Sequence, residues 1–262
     1  MNIKFPSYLI IVLLLTSCAA VVRNSTVIQE EVGGETAVTH INTTQYNITQ
    51  HLFLVNNGPG QPTKHNIWIA LINNMTPYQT VQELQITPET YQLMTDEYGN
   101  QYAEFDLTEM PSGTSIEITI QYKLTVNELA YDLTHCAGEL PNIFNQPELH
   151  IESNNAQIID LAQQLSADKI STCAKVEAFY NYIGNHLVYS YNGKSWGAQA
   201  ALGEMGADCT EYSSLLIALS RAAGIPARYI EGLHYFDSSS EVTARTEHAW
   251  VEVYLPGVGW TP

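Results

Sequence analysis

The sequence has little positive charge. Its 262 residues include 10 Lys and Arg against 27 Asp and Glu, which gives a formal net charge of −17. Proteins that bind nucleic acid neutralise phosphates with clustered Lys and Arg, and no such cluster is present in this chain. A nucleic-acid partner is therefore excluded. The acidity predicts a soluble surface that resists association, with an acidic binding surface as the second interpretation.

Motifs for metals and nucleotides are also missing from the sequence. No His, Cys or Asp clusters have the spacing of a zinc site, and there is no glycine-rich phosphate loop. We therefore expect neither a metal nor a cofactor. The apolar fraction of 45% is nevertheless that of a globular protein, and the length favours two domains over one.

The hydrophobic runs are too short to cross a bilayer. The N-terminal run Tyr8–Leu15 follows Lys4, and a transmembrane helix needs about 20 apolar residues. This pattern is typical of an export signal. The following Cys18 completes a segment that resembles a bacterial lipobox, so we expect residues 1–17 to be a lipoprotein signal peptide. Lipidated Cys18 would then anchor an extracytoplasmic protein to the cell membrane or outer membrane, with an ordinary secretory signal as the alternative.

Cysteine is scarce, with four residues in the chain. If Cys18 carries a lipid, then Cys136, Cys173 and Cys209 remain. An odd number of cysteines in an exported protein leaves at least one thiol unpaired, or pairs it with another chain. Cys136 and Cys173 either form a disulfide or are two free buried cysteines, and the sequence leaves both interpretations open.

The first half of the chain has the pattern of a strand-rich domain. Residues 18–43 are polar and suit a tether, whereas apolar residues alternate with polar ones over residues 44–150. Clear examples are Ile116, Ile118, Ile120, Tyr122, Leu124 and Val126. Turn signals rich in Gly, Pro and Asn separate these segments. The pattern predicts an antiparallel β-sandwich.

After residue 150 the apolar residues recur with the period of a helix. One predicted helix follows Asn154 or Asn155, a second follows Ser171, and a short third runs over residues 197–205. The second domain, residues 151–262, also contains a predicted strand over residues 247–255. The fold class that we expect for the whole chain is α+β.

The segment around Cys209 is the most specific in the sequence. Asp208 can cap a following helix, with Glu211 completing a capping box, and the helix is predicted to end at Gly224. Cys209 then lies in the first turn, where free N–H groups and the positive end of the helix dipole favour a thiolate. The same amides can stabilise an oxyanion. The alternative is a small, buried apolar cysteine near a cap.

A histidine 39 residues later is the candidate partner of this thiol. His248 begins a predicted strand in which Trp250 shares its face, with Glu252 as a further candidate for the same face. Such a His can accept the thiol proton and later donate it to a leaving amine. A lone His is usually structural, but the cysteine-led helix favours the catalytic interpretation.

Four sequence blocks together resemble the core of the transglutaminase-like superfamily. They are Asp208–Tyr212, Ala218–Arg228, Glu247–Trp250 and Pro256–Pro262. The resemblance implies a papain-like fold and a Cys-His-Asp triad that transfers acyl groups through a thioester, with Cys209 as nucleophile and His248 as base. The strand-rich half resembles the β-sandwich that often precedes this core in bacterial members.

The triad acid of this family is not in the sequence. The Asp usually stands two positions beyond the place of Pro262, where this sequence stops. We therefore expect the sequence to be a fragment, and weak or absent activity if it is not. Loss of the orienting acid costs a serine protease about 10⁴ in turnover.

Four further residues are candidates for contacting the substrate or its oxyanion: Trp196, Thr210, Trp250 and His234. Trp196 is otherwise a core residue, and His234 is otherwise an ordinary surface residue. Arg228 is expected to pair with a carboxylate in a structural role.

The sequence therefore predicts a thiol-dependent enzyme that acts on peptide or protein amides, either as an amidase or protease or as a protein-glutamine acyltransferase. The alternative is a non-catalytic module of the cell envelope that binds peptides on the same fold. Hydrolysis and cross-linking share every catalytic residue, so both stay open.

Overall fold

The computed structural model describes residues 37–134, 136–191, 196–203, 206–234 and 247–262, together with the backbone of residues 18–20. The expected signal peptide, residues 1–17, lies outside the described residues. Two compact units are present, one around His40–Leu129 and the other around Ala130–Pro262. Strands form the first unit, and helices with a small sheet form the second, which confirms the α+β class.

Two sheets make up the N-terminal unit. One has the order β1-β2-β7-β4 and the other the order β3-β6-β5, with antiparallel pairing. The strands are β1 Cys18–Ala20, β2 Val38–Val55, β3 Asn66–Ala70, β4 Gln79–Thr87, β5 Tyr91–Thr95, β6 Gln101–Asp106 and β7 Ser115–Tyr131.

The alternation of apolar and polar residues along the strands buries one face of each strand, as the sequence predicts. On β7 the alternate residues Ile118, Ile120, Tyr122 and Leu124 are buried, and they share one core with Phe105 of the other sheet. Burying one face of each strand against the opposite sheet is how an antiparallel sandwich is stabilised. The predicted antiparallel β-sandwich is therefore confirmed.

The expected tether over residues 18–43 is wrong at both of its ends. Residues 18–20 pair with β2, and β2 itself begins at Val38. The start of β2 is held by side chains, because the Thr43 hydroxyl donates to Oδ1 of Asn127 at 2.8 Å. Threonine favours strands over flexible chain, so a Thr-rich polar segment is extended here.

The expected domain boundary near residue 150 also differs from the structure, because residues 130–150 pack with the C-terminal unit. Cys136 is joined to Cys173 by a disulfide with a Cα–Cα distance of 5.9 Å. The Arg221 side chain donates to the carbonyl oxygen of Gln146 at 2.5 Å. These contacts make residues 130–150 part of the second core, although they contain no regular helix that a period could reveal.

The C-terminal unit contains four helices and one sheet among the described residues. They are α1 Ala156–Ser166, α2 Thr172–His186, α3 Ala198–Ala201, α4 Cys209–Ala222, β8 Ala227–Leu233, β9 Glu247–Leu255 and β10 Gly259–Thr261, the strands pairing antiparallel in the order β10-β9-β8. Asn155 and Ser171 cap α1 and α2 as predicted. No helix among the described residues is both long and apolar enough to cross a membrane.

The third helix is shorter than predicted. It ends at Ala201, where the Gly203 N–H donates to the carbonyl of Ala200 at 3.0 Å in a turn. Such i→i+3 bonds tighten the last turn of a helix. Residues 204 and 205, the end of the predicted helix, lie outside the described residues.

A tight connection sets the direction of α4 relative to the sheet. Gly224 has φ = 76°, and the Ile225 N–H donates to the carbonyl of Ser220 at 2.9 Å. The chain therefore reverses its direction after α4, and β8 runs back alongside the helix. The 14 residues of α4 span ~21 Å, and the 7 residues of β8 span ~23 Å.

β9 then runs antiparallel to β8, with His248 opposite Gly232, and α4 packs against both strands. Since α4 and β8 are of nearly equal length and run in opposite directions, the end of β8 returns to the level of the first turn of α4. The start of β9 pairs with that end of β8. The fold thus places the beginning of α4 and the beginning of β9 at one end of the helix–sheet layer.

Candidate active site

Cys209 is the first residue of α4. Asp208 precedes it in an extended conformation, and its carboxylate accepts the Thr210 N–H at 3.0 Å. The Asp208 N–H in turn donates to Oε2 of Glu211 at 3.1 Å, which completes the predicted capping box. Cys209 is half-buried and carries a free thiol. The predicted cap, the helix and the position of Cys209 are all confirmed.

Glu211 does more than cap the helix. Its side chain is buried, with 1% exposed, and its Oε1 accepts the backbone N–H of Trp196 at 2.8 Å. A buried carboxylate requires several donors to offset its lost hydration, and here the donors come from two separate segments. Glu211 thereby holds the backbone of Trp196, one of the predicted substrate contacts, beside the first turn of α4.

Thr210 is part of the cap in this structure. Its N–H donates to Asp208 Oδ1, and its hydroxyl lies 2.9 Å from the same oxygen and 3.0 Å from Glu211 Oε1. Both donors of Thr210 are thus used inside the capping box, so in this state Thr210 stabilises the helix end rather than offering a donor to an oxyanion.

An exposed tyrosine lies near the thiol. Tyr189 forms a parallel β-bridge with Ala207, two residues before Cys209, and the Ser190 N–H donates to the Ala207 carbonyl at 2.8 Å. Burial and then the nearby charges of Cys209 and Asp208 raise the pKa of Tyr189. The sequence analysis missed this residue, because only the bridge between distant segments reveals it.

Tyr229 of β8 is a second tyrosine near the helix start. Burial is the main cause that raises its pKa, and the charges of Glu231 and Cys209 raise it further. A measurable charge effect requires short separations inside a protein. This effect of Cys209 on Tyr229 therefore agrees with the directions of α4 and β8, which bring the first turn of α4 beside the sheet.

The predicted sharing of one face by His248, Trp250 and Glu252 is confirmed. Gly232 lies opposite His248, and Arg228 lies opposite Glu252. Arg228 and Glu252 form an ion pair, with Nη2 and Oε2 2.6 Å apart, although only 1% of Glu252 is exposed. Glu252 is thus committed to Arg228, which has the structural role predicted for it.

His248 is flanked by two other rings. His234 stacks on it with ring centroids 5.4 Å apart, and the Trp250 ring lies 6.5 Å away on the same face. Burial, followed by repulsion from His234, lowers the pKa of His248 below its ordinary value. A neutral imidazole is the form that can accept a proton from a thiol.

The chain directions put Cys209 and His248 at the same end of the helix–sheet layer. However, Val251 and Val253, which share the core with α4, alternate with His248 along β9, and the contacts of the described residues include no hydrogen bond between the thiol and the ring. The ring contacts of His248 are with His234 and Trp250. Catalytic hydrogen bonds are often long in unliganded enzymes and tighten only around a substrate. The pairing of Cys209 with His248 therefore stays a prediction.

The other two described cysteine side chains are not available as nucleophiles. Cys136 and Cys173 form a disulfide, which decides between the two interpretations that the sequence leaves open. Cys209 is accordingly the free thiol among the described side chains. Within the same residues, no group of three or more His, Cys, Asp and Glu side chains is arranged to hold a metal ion.

Comparison with known proteins identifies the C-terminal unit. Residues 159–262 match the family model of the transglutaminase-like superfamily. The uncharacterised protein YebA of Bacillus subtilis is 31% identical over 118 residues, which cover 38% of this chain and 16% of YebA. The chain thus spans about a sixth of the length of that curated relative.

A solved structure supports the same fold over most of the chain. A provisionally assigned cysteine protease from Cytophaga hutchinsonii superposes with a TM-score of 0.64 at 18% identity, over 85% of this chain and 76% of that one. The periplasmic domain of TgpA from Pseudomonas aeruginosa matches at a TM-score of 0.38 and 17% identity, over 82% and 68% of the two chains. Residues 159–262 of the C-terminal unit thus match a transglutaminase-like domain, and the likeness to the Cytophaga structure supports the fold.

Proposed function

We propose that the transglutaminase-like domain is a thiol-dependent enzyme that acts on amides of peptides or proteins. Cys209 Sγ attacks the amide carbonyl carbon while His248 accepts the thiol proton. The C–N bond then breaks, His248 returns the proton to the leaving amine, and a thioester remains on Cys209. The chemistry needs no cofactor, because sulfur and imidazole supply the nucleophile and the acid–base group.

One observation carries this proposal: the free thiol of Cys209 occupies the first position of a capped helix. The chain directions, which put the start of β9 and with it His248 at the same end of the layer, support His248 as its partner. Backbone N–H groups at a helix start can stabilise a thiolate and the oxyanion that forms on attack. The low pKa of His248 keeps its ring neutral and able to accept the proton near neutral pH.

The second half of the reaction defines the product. Attack of water on the thioester releases a carboxylate and completes hydrolysis, whereas attack of an amine forms a new amide. The exposed positions of His248 and Tyr189 make the site accessible to water. We therefore favour hydrolysis of peptide or cell-envelope amides. Mass spectrometry of a glutamine-containing peptide, incubated with and without a primary amine, separates an acid product from an amine adduct.

We also propose that the protein acts outside the cytoplasm, anchored through a lipid on Cys18. The lipobox-like segment before Cys18 supports the anchor. The Cys136–Cys173 disulfide supports the location, because disulfides persist in oxidising compartments and are rare in the cytosol. Detergent partitioning of the protein, compared with Cys18→Ser, tests the anchor: loss of membrane association in the variant is expected, and unchanged association would contradict it.

The enzymatic proposal is tested by the rate at which iodoacetamide alkylates Cys209 at neutral pH. We expect fast labelling at Cys209, none in Cys209→Ser, and a rate about 100-fold lower in His248→Ala, in the range that a positioned base supplies. His186→Ala is the matched control, since His186 lies on α2 and stacks on Tyr182. Slow labelling of the wild type, unaffected by His248→Ala, would instead support a non-catalytic peptide-binding module.

A further inference from the structure

Three aromatic rings lie on one face of the β8–β9 sheet. His234 follows the last residue of β8, and its ring stacks on His248 with an interplanar angle of 28°. Trp250 lies on the other side of His248 along β9, with the same interplanar angle of 28°. His248 is thus the middle ring of this stack, which we call the His234–His248–Trp250 stack.

We propose that His234 is a positioning residue for His248, which holds the imidazole in place by stacking and disfavours its protonation. The proposal rests on the proposed function of His248 as the base. It assigns His234 a different role from the substrate contact that the sequence suggests.

The backbone around the stack explains why His248 needs a ring beside it. Gly232 lies opposite His248 and has no side chain to restrain it. The Trp250 ring fills that space instead, since a Cβ on Gly232 would come within 2.5 Å of Trp250 Cη2. On the side away from Trp250, the ring contact of His248 is His234. Removing His234 therefore frees one side of the catalytic ring.

The charge on His234 acts on His248 in the same direction as burial. Two positive charges on rings whose centroids are 5.4 Å apart repel each other, so a charge on His234 disfavours the protonated form of His248. The presence of His234 accordingly lowers the pKa of His248, in addition to the larger effect of burial.

Among the described residues of the adjacent elements, the remaining charged side chains do not offset this repulsion. Glu252, on the same face of β9, is paired with Arg228. By strand alternation, Glu247 of β9 and Glu231 of β8 point to the opposite face. β10 contributes only Gly259, Trp260 and Thr261. On α4, the carboxylates of Asp208 and Glu211 are occupied in the capping box, and Cys209 is the nucleophile itself.

Two substitutions separate the two effects of His234. His234→Phe keeps a flat ring for stacking and removes the charge, whereas His234→Ala removes both. We expect the acid limb of the Cys209 alkylation profile to move to higher pH in both variants, because His248 becomes protonated more easily. At pH 8, we expect the rate to fall about tenfold in His234→Ala and to fall less in His234→Phe, which keeps a ring for stacking, as misplacement of a catalytic group costs rate. His186→Phe is the control.

A direct titration keeps the inference separate from the proposed function. Nuclear magnetic resonance of ring-labelled histidines, with His248→Gln used for assignment, reports the protonation of His248 whether or not Cys209 reacts. A midpoint for His248 that rises towards its ordinary value of 6.5 in His234→Phe supports the inference. An unchanged midpoint overturns it. A shifted midpoint with alkylation insensitive to His248→Ala would leave the stack in place and overturn the proposed function alone.

Discussion

The two units of this protein differ in what they bury. The sandwich core is apolar, with residues such as Phe105, Ile118 and Ile120 fully enclosed, and Asn56 is the buried polar side chain among its described residues. The C-terminal unit buries Ser153, Asp208, Glu211, Ser213, Ser214, Ser220, Arg221 and Glu252 in addition to its apolar core. The first unit is stabilised mainly by apolar burial, whereas the second also depends on the buried hydrogen bonds and ion pairs of Asp208, Glu211, Arg221 and Glu252.

This difference indicates that the C-terminal unit places costly buried charges where they orient the candidate site. Burying a carboxylate is costly unless charged or polar partners surround it, so a unit that needed only stability would use apolar residues there. Glu211 joins the Trp196 segment to the helix that starts with Cys209. Glu252 fixes Arg228 across β8 and β9. Both networks orient the elements that carry the candidate site.

Among the substitutions that test this difference between the two units, Phe105→Ala in the sandwich has the largest expected effect. Phe105 is 1% exposed and packs 5.9 Å from the Tyr91 ring, so its loss leaves a cavity and lowers the free energy of unfolding by about 4 kcal/mol. Urea denaturation followed by circular dichroism measures this change. The alkylation rate of Cys209 should stay at the wild-type value. A parallel loss of labelling would show that the candidate site depends on the sandwich core.

Arg228→Met tests the ionic contribution in the C-terminal unit. The substitution leaves Glu252 buried without its partner, which should lower the free energy of unfolding by about 3 kcal/mol. Denaturation monitored by tryptophan fluorescence in a Trp68→Phe background reports on the C-terminal unit, because the three other tryptophans all lie there.

The double variant Arg228→Met/Glu252→Leu is the matched control for this pair. It removes the unpaired charge and should recover most of the lost stability. If the double variant were as unstable as the single one, the loss would come from packing of Arg228 on Trp260, whose ring centroid lies 4.4 Å from the guanidinium.

Asp208→Ala should have a smaller effect on stability and a local effect on the thiol. Loss of an N-cap acceptor costs about 1 kcal/mol, and the first turn of α4 loses the carboxylate that binds the Thr210 N–H. We expect slower alkylation of Cys209 as this turn frays. Asp208→Asn retains an acceptor and should behave like the wild type; equal rates in Asp208→Ala would show that the cap does not control the thiol.

Lys123→Ala in the sandwich should have the smallest effect. The Lys123 Nζ lies 3.0 Å from Glu83 Oε1, but both side chains are largely exposed, so water and salt screen the pair and it contributes at most about 0.5 kcal/mol. Thermal unfolding at low and high salt measures this. A loss as large as that of Arg228→Met would contradict the view that the sandwich is stabilised mainly by apolar burial.

The sequence predicts well the features that depend on neighbouring residues. The capping box of Asp208 and Glu211, the helix that follows and the alternation along β7 all have local causes, namely hydrogen bonds within one turn and the two-residue period of a strand. The shared face of His248 and Trp250 is predictable for the same reason.

Features that join distant segments were predicted poorly. The disulfide stayed one of two alternatives, because proximity of Cys136 to Cys173 depends on how residues 130–150 return to α2. The contact of Glu211 with the Trp196 backbone and the stacking of His234 on His248 also need the tertiary fold. The tether was wrong because a polar, Thr-rich segment has the same composition as a strand that finds a partner in a sheet.

Gly232 restricts how this strand pair can change during evolution or engineering. A methyl group at this position would require the Trp250 ring to move, because Trp250 Cη2 lies within 2.5 Å of where it would be, whereas the backbone has no positive φ that would demand glycine. The restriction is therefore one of volume and is shared by two positions. A larger residue at one position becomes acceptable only when the other shrinks, so random mutagenesis of the strand pair should return these substitutions together or not at all.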